Sequence, residues 1–355
     1  MRGIWTTTCC VDATPCKGAS SPLDSGASDA VRGDSRVQLL AVDFAVFGTD
    51  LFAAGRACAH LAEGIHLTYH PGEILPLWRI DVTTRADFKS GFAPADGARI
   101  YFESAGVGPA VVFIHAGVSD RRMWDPQFDY FADKFHVVRY DLRGFGKSEM
   151  PDLSYSNRAD LGKVLQFLGI EKAAIVGCSM GGSTAIDFTL EHPERVIALV
   201  TIGSGVSGWN EWSDEGIRHW TEFMRLAKEG EIERAREMDA VLWLDGPGRD
   251  PSRIDPTYRR RAREIHKDNF SLARDAHPEE ELKPPAIQRL GEINRPTLVL
   301  VGDSDSSEIV KIASQLAKEI PRARLVTVAN AAHLPNLEHP DEFNGIVDEF
   351  LTPIL

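Results

Sequence analysis

The sequence has no long apolar run and no cysteine pattern that would build a disulfide framework or a zinc site. No uninterrupted apolar stretch approaches the roughly 20 residues that a membrane-spanning helix requires. Of the five cysteines, four lie within the first 58 residues and Cys178 lies alone in the remainder. They do not form the two closely spaced pairs of cysteines that are typical of zinc sites. We therefore expect no membrane span, no structural zinc and no disulfide-stabilised fold.

Positive charge is also scarce. The chain has 39 lysines and arginines against 52 aspartates and glutamates, a formal net charge of −13. Nucleic acids and anionic membranes are polyanions that attract Lys and Arg, so neither is expected as a general partner. With 43% hydrophobic and 26% charged residues, the composition is that of an ordinary soluble protein. We expect a cytoplasmic protein with a small-molecule substrate, and the oligomeric state stays open, a homo-oligomer included.

Residues 1–87 differ in composition from the rest of the chain. Up to Arg36 they are rich in Ser, Asp, Gly, Ala and Pro without periodicity, which is typical of disorder. A secretory signal would place an apolar run directly after Arg2, but residues 6–10 are Thr-Thr-Thr-Cys-Cys. We interpret 1–87 as an N-terminal extension that is poorly ordered or not native, and we assign no catalytic residue to it.

The strongest functional signal lies in residues 173–182. The first four of these residues are apolar and predict a buried strand, and the run after Gly182 predicts a helix. Ser179 lies in the turn between them, with Gly177 and Gly181 two residues to either side. Glycines at these positions leave room for a strained turn that exposes the central hydroxyl. This Gly-x-Ser-x-Gly stretch resembles the nucleophile elbow of α/β-hydrolase-fold enzymes, which implies that Ser179 is the nucleophile.

The order of the predicted elements agrees with that resemblance. Strands predicted at 111–114, 136–140 and 196–202 alternate with helical patterns, as in a parallel sheet covered by helices on both faces. Residues 141–148 resemble the family's D-x-R-G-x-G-x-S loop, whose Asp and Arg we expect to brace the turn rather than react. The resemblance implies an α/β fold with a mostly parallel, doubly wound sheet of the α/β-hydrolase type and an inserted helical cap.

The cap is predicted between residues 204 and 294, where the strand patterns stop. Helical patterns near 215–229, 231–243 and 257–269 follow one another, and four of the seven tryptophans lie among them. An all-helical insertion resembles the cap that covers the active site in many of these hydrolases. We therefore assign 88–203 and 295–355 to the hydrolase core and 204–294 to the cap. The cluster of four arginines at 259–261 and 263 is interpreted as a solvated helix face.

The segment His115-Ala116-Gly117 corresponds to the family's His-Gly strand end, which supplies part of the oxyanion hole. The resemblance implies that the N–H groups of Gly117 and Met180 stabilise the oxyanion. His115 has two alternative roles, that of a base or that of a residue whose side-chain hydrogen bond orients the loop, and the motif favours the second. The residues assigned to the substrate pocket are His115, Trp124, Trp209 and Trp212.

The acid and the base of the expected triad lie near the C-terminus. The resemblance places the acid three residues after Gly302, which selects Asp305. Asp303 remains the alternative, because sequence alone does not separate two carboxylates in one loop. His333 follows the last predicted strand and matches the family's base. Ser179, Asp305 and His333 then follow one another in the chain order that this fold uses.

These residues imply acyl transfer through a covalent intermediate that requires no metal and no organic cofactor. Relatives that form an alkyl-enzyme ester have Asp at the apex of the elbow. This chain has Ser179 there, so a function of that kind is disfavoured. We expect a serine hydrolase that cleaves a carboxylic ester or a lactone. One alternative is cleavage of a carbon–carbon bond in a dienoic diketo acid, which would require additional cations for the substrate carboxylate. The other is a non-catalytic ligand receptor on the same fold.

Overall fold

The computed structural model describes residues 87–272 and 279–355 in full, together with the backbone of short strands nearer the N-terminus. The chain divides into two compact units, Met1–Thr84 and Arg85–Leu355. In the first unit, Thr6–Thr7 pairs with Val42–Asp43 and His66–Thr68 pairs with Arg79–Asp81, both antiparallel. Most of the proposed extension 1–87 lies outside the described residues, so its expected lack of order stays a prediction.

The second unit is organised around an eight-stranded sheet. Its strands, in chain order, are β1 Lys89–Ala95, β2 Ala98–Ala105, β3 Ala110–Ile114, β4 His136–Tyr140, β5 Ala173–Cys178, β6 Val196–Ile202, β7 Thr297–Gly302 and β8 Ala323–Val328. Across the sheet they follow the order β8-β7-β6-β5-β3-β4-β2-β1. The pairs β1–β2 and β2–β4 are antiparallel, and the other neighbours are parallel. The expected α/β fold with a mostly parallel sheet is confirmed.

Some helices flank the sheet, and others lie in the segment between β6 and β7. In chain order, these helices are α1 Asp125–Phe131, α2 Asn157–Phe167, α3 Met180–Glu191, α4 Asp214–Lys228, α5 Ile232–Ala240, α6 Pro256–Asn269, α7 Ser307–Glu319, α8 Pro335–Glu338 and α9 Pro340–Leu351. In the part of the chain that the structure describes, none of the helices combines the length and the apolar character needed to traverse a bilayer.

The central strands are buried on both faces because successive side chains point into two different apolar layers. Val112 and Ile114 of β3 pack in one layer with residues of α2, α3 and α7. Val111 and Phe113 pack in the other layer with residues of α1 and α9. This two-sided burial explains why the central strands read as continuous apolar runs. Because these neighbouring strands are parallel, their carboxyl ends lie at one edge of the sheet, where ligands bind in open α/β sheets.

The segment interpreted as a cap lies between β6 and β7 and contains α4, α5 and α6. Helix α5 continues into a π-helical turn, Val241–Asp245, and a short 3-10 turn, Pro251–Arg253, precedes α6. The three helices occupy the regions where helical patterns were predicted. Because the cap and the sheet belong to one compact unit, Arg85–Leu355, the boundaries 204 and 294 stay predictions.

Candidate active site

Ser179 lies at the sharp turn where β5 ends and α3 begins. Its backbone adopts φ 53° and ψ −114°, a strained conformation for a residue with a side chain. A Cβ on Gly177 would lie 2.2 Å from the Gly181 carbonyl oxygen, and a Cβ on Gly181 would lie 2.4 Å from the Ile114 carbonyl oxygen. Both positions therefore require glycine. The turn leaves Ser179 half-buried, while the adjacent Cys178 is fully buried.

His333 and Asp305 form a buried pair on the loops that follow β8 and β7. The distance between His333 Nδ1 and Asp305 Oδ2 is 2.8 Å, and both side chains are almost fully buried. The second carboxylate oxygen of Asp305 accepts a hydrogen bond from the Ser306 N–H at 2.8 Å. Since a carboxylate only accepts, Nδ1 carries the proton, and Nε2 of a neutral imidazole is left as an acceptor.

The alternative acid, Asp303, has a different environment. It is exposed, and its carboxylate accepts a hydrogen bond from the neighbouring Ser304 hydroxyl at 2.9 Å. Its backbone N–H donates to the Val328 carbonyl at 3.0 Å, which ties the loop to the end of β8. The structure therefore brings Asp305 and not Asp303 against His333.

The loops that carry Ser179 and His333 meet at the end of β6. The Ser179 N–H donates to the Ile202 carbonyl at 2.8 Å. The next residue, Gly203, has φ +47°, and a Cβ built on it would lie 3.1 Å from both His333 Nδ1 and Asp305 Oδ2. Within residues 87–272 and 279–355, no hydrogen bond joins the Ser179 hydroxyl to His333. Sequence reasoning missed Gly203, because a glycine after a strand has no distinguishing motif.

The two residues expected to supply the oxyanion donors lie close together. Gly117 follows β3, and Met180 is the first residue of α3. A Cβ on Gly117 would lie 3.0 Å from the Met180 Cε atom. In the described ranges, neither the Gly117 N–H nor the Met180 N–H donates to another protein group. The first N–H groups of a helix have no partner within the helix and carry partial positive charge. Both N–H groups are therefore without a protein acceptor in the described residues, and their role as oxyanion donors stays a prediction.

Two of the residues assigned to the substrate pocket belong to the core instead, and the assignment is corrected. Trp124 is fully buried, with its ring centroid 5.0 Å from that of Phe113. His115 is also fully buried, and both of its ring nitrogens are engaged. Nδ1 lies 2.8 Å from the Ala116 carbonyl oxygen, and Nε2 accepts from the Leu142 N–H at 2.8 Å. His115 therefore orients the loop, the second of its two alternatives, and neither side chain is exposed to a ligand.

The two cap tryptophans assigned to the pocket differ in burial. Trp209 is half-buried against the apolar layer that contains α2, α3 and α7. Trp212 is 58% exposed. A third cap tryptophan, which the sequence did not single out, contacts the active site. The Trp243 ring centroid lies 4.6 Å from that of His333, with 45° between the ring planes.

A cap turn also holds the loop that carries His333. Arg249 donates to the Asn330 carbonyl at 2.9 Å and forms an ion pair with Glu338, with 2.7 Å between Nη2 and Oε1. The other oxygen of Glu338 accepts from the Ala332 N–H at 2.9 Å. The position of His333 therefore depends on side chains of the cap as well as on the sheet.

The D-x-R-G-x-G-x-S loop is a braced structural element. Asp141 is fully buried and accepts from the Lys147 N–H at 2.9 Å. Arg143 pairs with Asp160 at 2.7 Å. The Ser148 hydroxyl donates to the Asp141 carbonyl at 2.6 Å and accepts from the Tyr101 N–H at 2.9 Å. These contacts agree with the expected bracing role and leave Ser148 engaged on both sides.

The cysteine next to Ser179 is buried and poorly suited to act as a nucleophile. Burial raises the pKa of the Cys178 thiol well above its usual value, and the nearby Asp305 carboxylate raises it further. The thiol therefore stays protonated, and a protonated thiol is a poor nucleophile. Among the described side chains, no group of three or more His, Cys, Asp or Glu residues has the arrangement of a metal site.

Comparisons with known proteins show the family to which this fold belongs. The family model for the α/β hydrolase fold matches residues 109–340. A protein of Burkholderia vietnamiensis, named 2-hydroxy-6-oxononadienedioate/2-hydroxy-6-oxononatrienedioate hydrolase, is 30% identical over 267 residues, which cover 71% of this chain and 91% of that protein.

Solved structures include two that are at least a quarter identical to this chain. Est816, described as an N-acyl homoserine lactone degrading enzyme, is 27% identical with a TM-score of 0.59, over 73% of this chain and 100% of its own. A thermophilic esterase from Thermogutta terrifontis is 25% identical with a TM-score of 0.59, over 76% of this chain and 99% of its own. The fold, the elbow and the extent of the family match together show that this chain belongs to the α/β-hydrolase-fold family.

Proposed function

We propose that this protein is a serine hydrolase that cleaves a carboxylic ester or a lactone through an acyl-enzyme intermediate. The observation that carries the proposal is the buried His333–Asp305 pair, which lies next to Gly203 at the end of β6, where the backbone of the strained, half-buried Ser179 is also hydrogen-bonded. A hydroxyl, an imidazole and a carboxylate in this order form the arrangement that activates serine for attack on a carbonyl carbon.

Each residue has a distinct role in this chemistry. His333 Nε2 accepts the proton of Ser179 as the hydroxyl attacks, and Asp305 holds the imidazole in the required tautomer and stabilises its charged form. The N–H groups of Met180 and Gly117 donate to the oxyanion, and each such donor contributes roughly 3 kcal/mol in comparable enzymes. The His333 imidazolium then gives this proton to the leaving alkoxide as the C–O bond of the ester or lactone breaks, which leaves the acyl-enzyme. Water activated by His333 hydrolyses the acyl-enzyme, releases the acid and regenerates the Ser179 hydroxyl.

The charges of the cap support a substrate without a carboxylate. The arginines of α6 that pack toward the rest of the protein have carboxylate partners. Arg259 and Arg263 both pair with Asp245, at 2.9 and 2.6 Å, and Arg261 pairs with Asp125 at 2.7 Å. An arginine that already has a carboxylate partner is a weaker ligand for an anionic substrate, since binding would require the existing pair to break. The likeness to a lactone-degrading enzyme and to an esterase supports the same substrate class.

A second candidate function is hydrolysis of a carbon–carbon bond in a dienoic diketo acid. The relative from Burkholderia vietnamiensis, which is 30% identical, carries the name of such a hydrolase and favours this alternative. This reaction would take place on the same fold, with Ser179 again at the reacting position. The two candidates differ in the substrate, because a diketo acid brings a carboxylate that needs a cationic partner in the pocket.

The test combines active-site labelling with a substrate panel. We expect a fluorophosphonate probe to label the wild-type protein and the Cys178→Ala variant, and to leave Ser179→Ala unlabelled. Aryl esters, lactones and a dienoic diketo acid would then be compared as substrates of the same three proteins. Turnover of esters or lactones that is lost in Ser179→Ala supports the proposal, whereas turnover of the diketo acid alone selects the second candidate. Absence of an adduct at Ser179 would contradict both and favour a receptor.

A further inference from the structure

Trp243 is the cap residue whose ring contacts the imidazole of His333. The two ring centroids are 4.6 Å apart, and the ring planes are inclined by 45°. The indole is half-buried and also packs against both apolar layers of the core. It is therefore part of a packed interior and not a solvent-exposed side chain that happens to lie close to His333.

The turn that carries Trp243 is held by several independent contacts. It is a π-helical segment, Val241–Asp245, a geometry that is rare and frequent at functional sites. The Tyr258 hydroxyl donates to the Leu244 carbonyl at 2.9 Å. The carboxylate of Asp245 accepts from two arginines of α6. A Cβ on the next residue, Gly246, would lie 2.7 Å from the Ser304 carbonyl oxygen, so the turn lies close to the acid loop.

The other groups around His333 are engaged in contacts of their own, which indicates what the indole contributes. Asp305 binds Nδ1, and the sulfur of Cys178, on β5, lies 3.7 Å from the His333 carbonyl oxygen. Glu338 holds the Ala332 N–H and is paired with Arg249. Tyr258, behind the cap turn, is fully buried, and burial raises the pKa of its hydroxyl so that it stays neutral. Apart from the Asp305 carboxylate, the indole is the group here that attracts a positive charge on the ring, because an aromatic face attracts a cation within about 6 Å.

We propose that Trp243 is a positioning residue of the active site: its indole holds the imidazole of His333 against Asp305 and stabilises the imidazolium that forms when Ser179 loses its proton. The cap thereby supplies part of the catalytic centre as well as a cover for it. The catalytic half of this inference rests on the proposed function, and the interaction between the two rings does not.

The test replaces the indole while keeping the site packed. Trp243→Leu removes the aromatic face, and Trp243→Phe keeps a weaker one. The matched controls are Trp220→Leu and Trp220→Phe, since Trp220 lies on α4 of the same cap and is 58% exposed. The first readout is the histidine NMR titration of the full chain, with the His333 resonance assigned by its loss in His333→Asn.

Because the indole favours the charged imidazole, we expect the measured NMR titration curve and the acid limb of the kcat/KM profile to move to lower pH in Trp243→Leu, by about half a pH unit to one pH unit. The displacement is smaller in Trp243→Phe and absent in the controls. We expect kcat to fall about three- to tenfold, with KM changing less, because a weaker base removes the serine proton more slowly.

An unchanged His333 titration in Trp243→Leu overturns the inference, and so do equal activity losses for Leu and Phe without a shift. If Trp243→Leu does not fold, Trp243→Phe decides the question alone, because it conserves the ring. A shifted titration in a protein that hydrolyses none of the panel substrates retains the ring interaction and contradicts only the proposed function.

Discussion

The sheet edge and the cap turn both contribute to the candidate active site, but different forces fix their geometry. At the sheet edge the loops approach so closely that only glycine fits. A Cβ on Gly302, for example, would lie 2.2 Å from the Ala331 carbonyl oxygen. In the cap turn, ion pairs set the geometry, chiefly those of Asp245 with Arg259 and Arg263, and that of Arg249 with Glu338.

This difference has consequences for how each region responds to change. A steric constraint is insensitive to pH and salt, and it fails only when a larger side chain is introduced. A buried or half-buried ion pair adds little net stability but strongly disfavours the loss of one partner. We therefore expect substitutions at the sheet edge to affect the chemistry, and substitutions of cap-facing charges to affect stability in a pH-dependent way.

The largest effect is expected for the acid at the sheet edge, where two neighbouring carboxylates can be compared. Asp305→Asn keeps the shape of the acid but removes the charge that fixes the His333 tautomer, and we expect kcat to fall by about 10³- to 10⁴-fold. The matched variant is Asp303→Asn, two residues away and exposed, for which we expect kcat to change only a few-fold. Ester hydrolysis measured at saturating substrate distinguishes them. Comparable losses in both variants would contradict the assignment of Asp305 as the acid.

The next prediction tests whether sterics position the triad. Gly203 has φ +47°, and an added Cβ would lie 3.1 Å from both His333 Nδ1 and Asp305 Oδ2. We expect Gly203→Ala to lower kcat about 10- to 100-fold, because small displacements of catalytic groups are costly. Gly205→Ala is the control, since its Cβ would have 3.9 Å to the nearest atom, Ser183 Cβ. Full activity of Gly203→Ala with an unchanged melting temperature would mean that the site adapts and is not sterically fixed.

The same contrast explains which features the sequence could predict. Central strands such as β6 are buried on both faces and therefore read as nearly continuous apolar runs. Both β4 and β6 agree with the predicted ranges to the residue. The elbow was identifiable because Gly177 and Gly181 are required sterically, and such requirements leave a fixed spacing in the sequence. Asp305 was selected by its distance from Gly302, a relation that the closely packed loop preserves.

Cap features were less predictable because they depend on contacts between distant parts of the chain. The arginines of α6 were expected to form a solvated face, but Arg261 pairs with Asp125 across 136 positions of the chain. Nothing in the sequence indicates that pairing. Trp243 lies on the π-helical turn and contacts His333, and no local pattern in the sequence marks it. Trp124 was misassigned to the pocket although its spacing from Phe128, four residues apart, is typical of a buried helix face.

The smallest predicted effect concerns the contact between the core and α6. Asp120 is buried and binds Arg122 and, through Oδ2, the Asn269 side chain at the end of α6. Burial alone would raise the pKa of Asp120, but the hydrogen bonds from Arg122 and Asn269 outweigh it and hold the pKa at about 2. A carboxyl group with a depressed pKa in the folded state stabilises the protein above its unfolded pKa of about 3.9, and this stabilisation is lost as the pH falls toward 2.

We therefore expect Asp120→Asn to lower the free energy of unfolding by about 2–3 kcal/mol at pH 7, and this difference from wild type to shrink to about half by pH 3. Urea denaturation at both pH values measures it, with Asp303→Asn as the exposed-carboxylate control. If the difference between wild type and Asp120→Asn were independent of pH, lost packing would explain it. The carboxylate charge would then not hold α6, and the cap would be fixed by shape, as the sheet edge is.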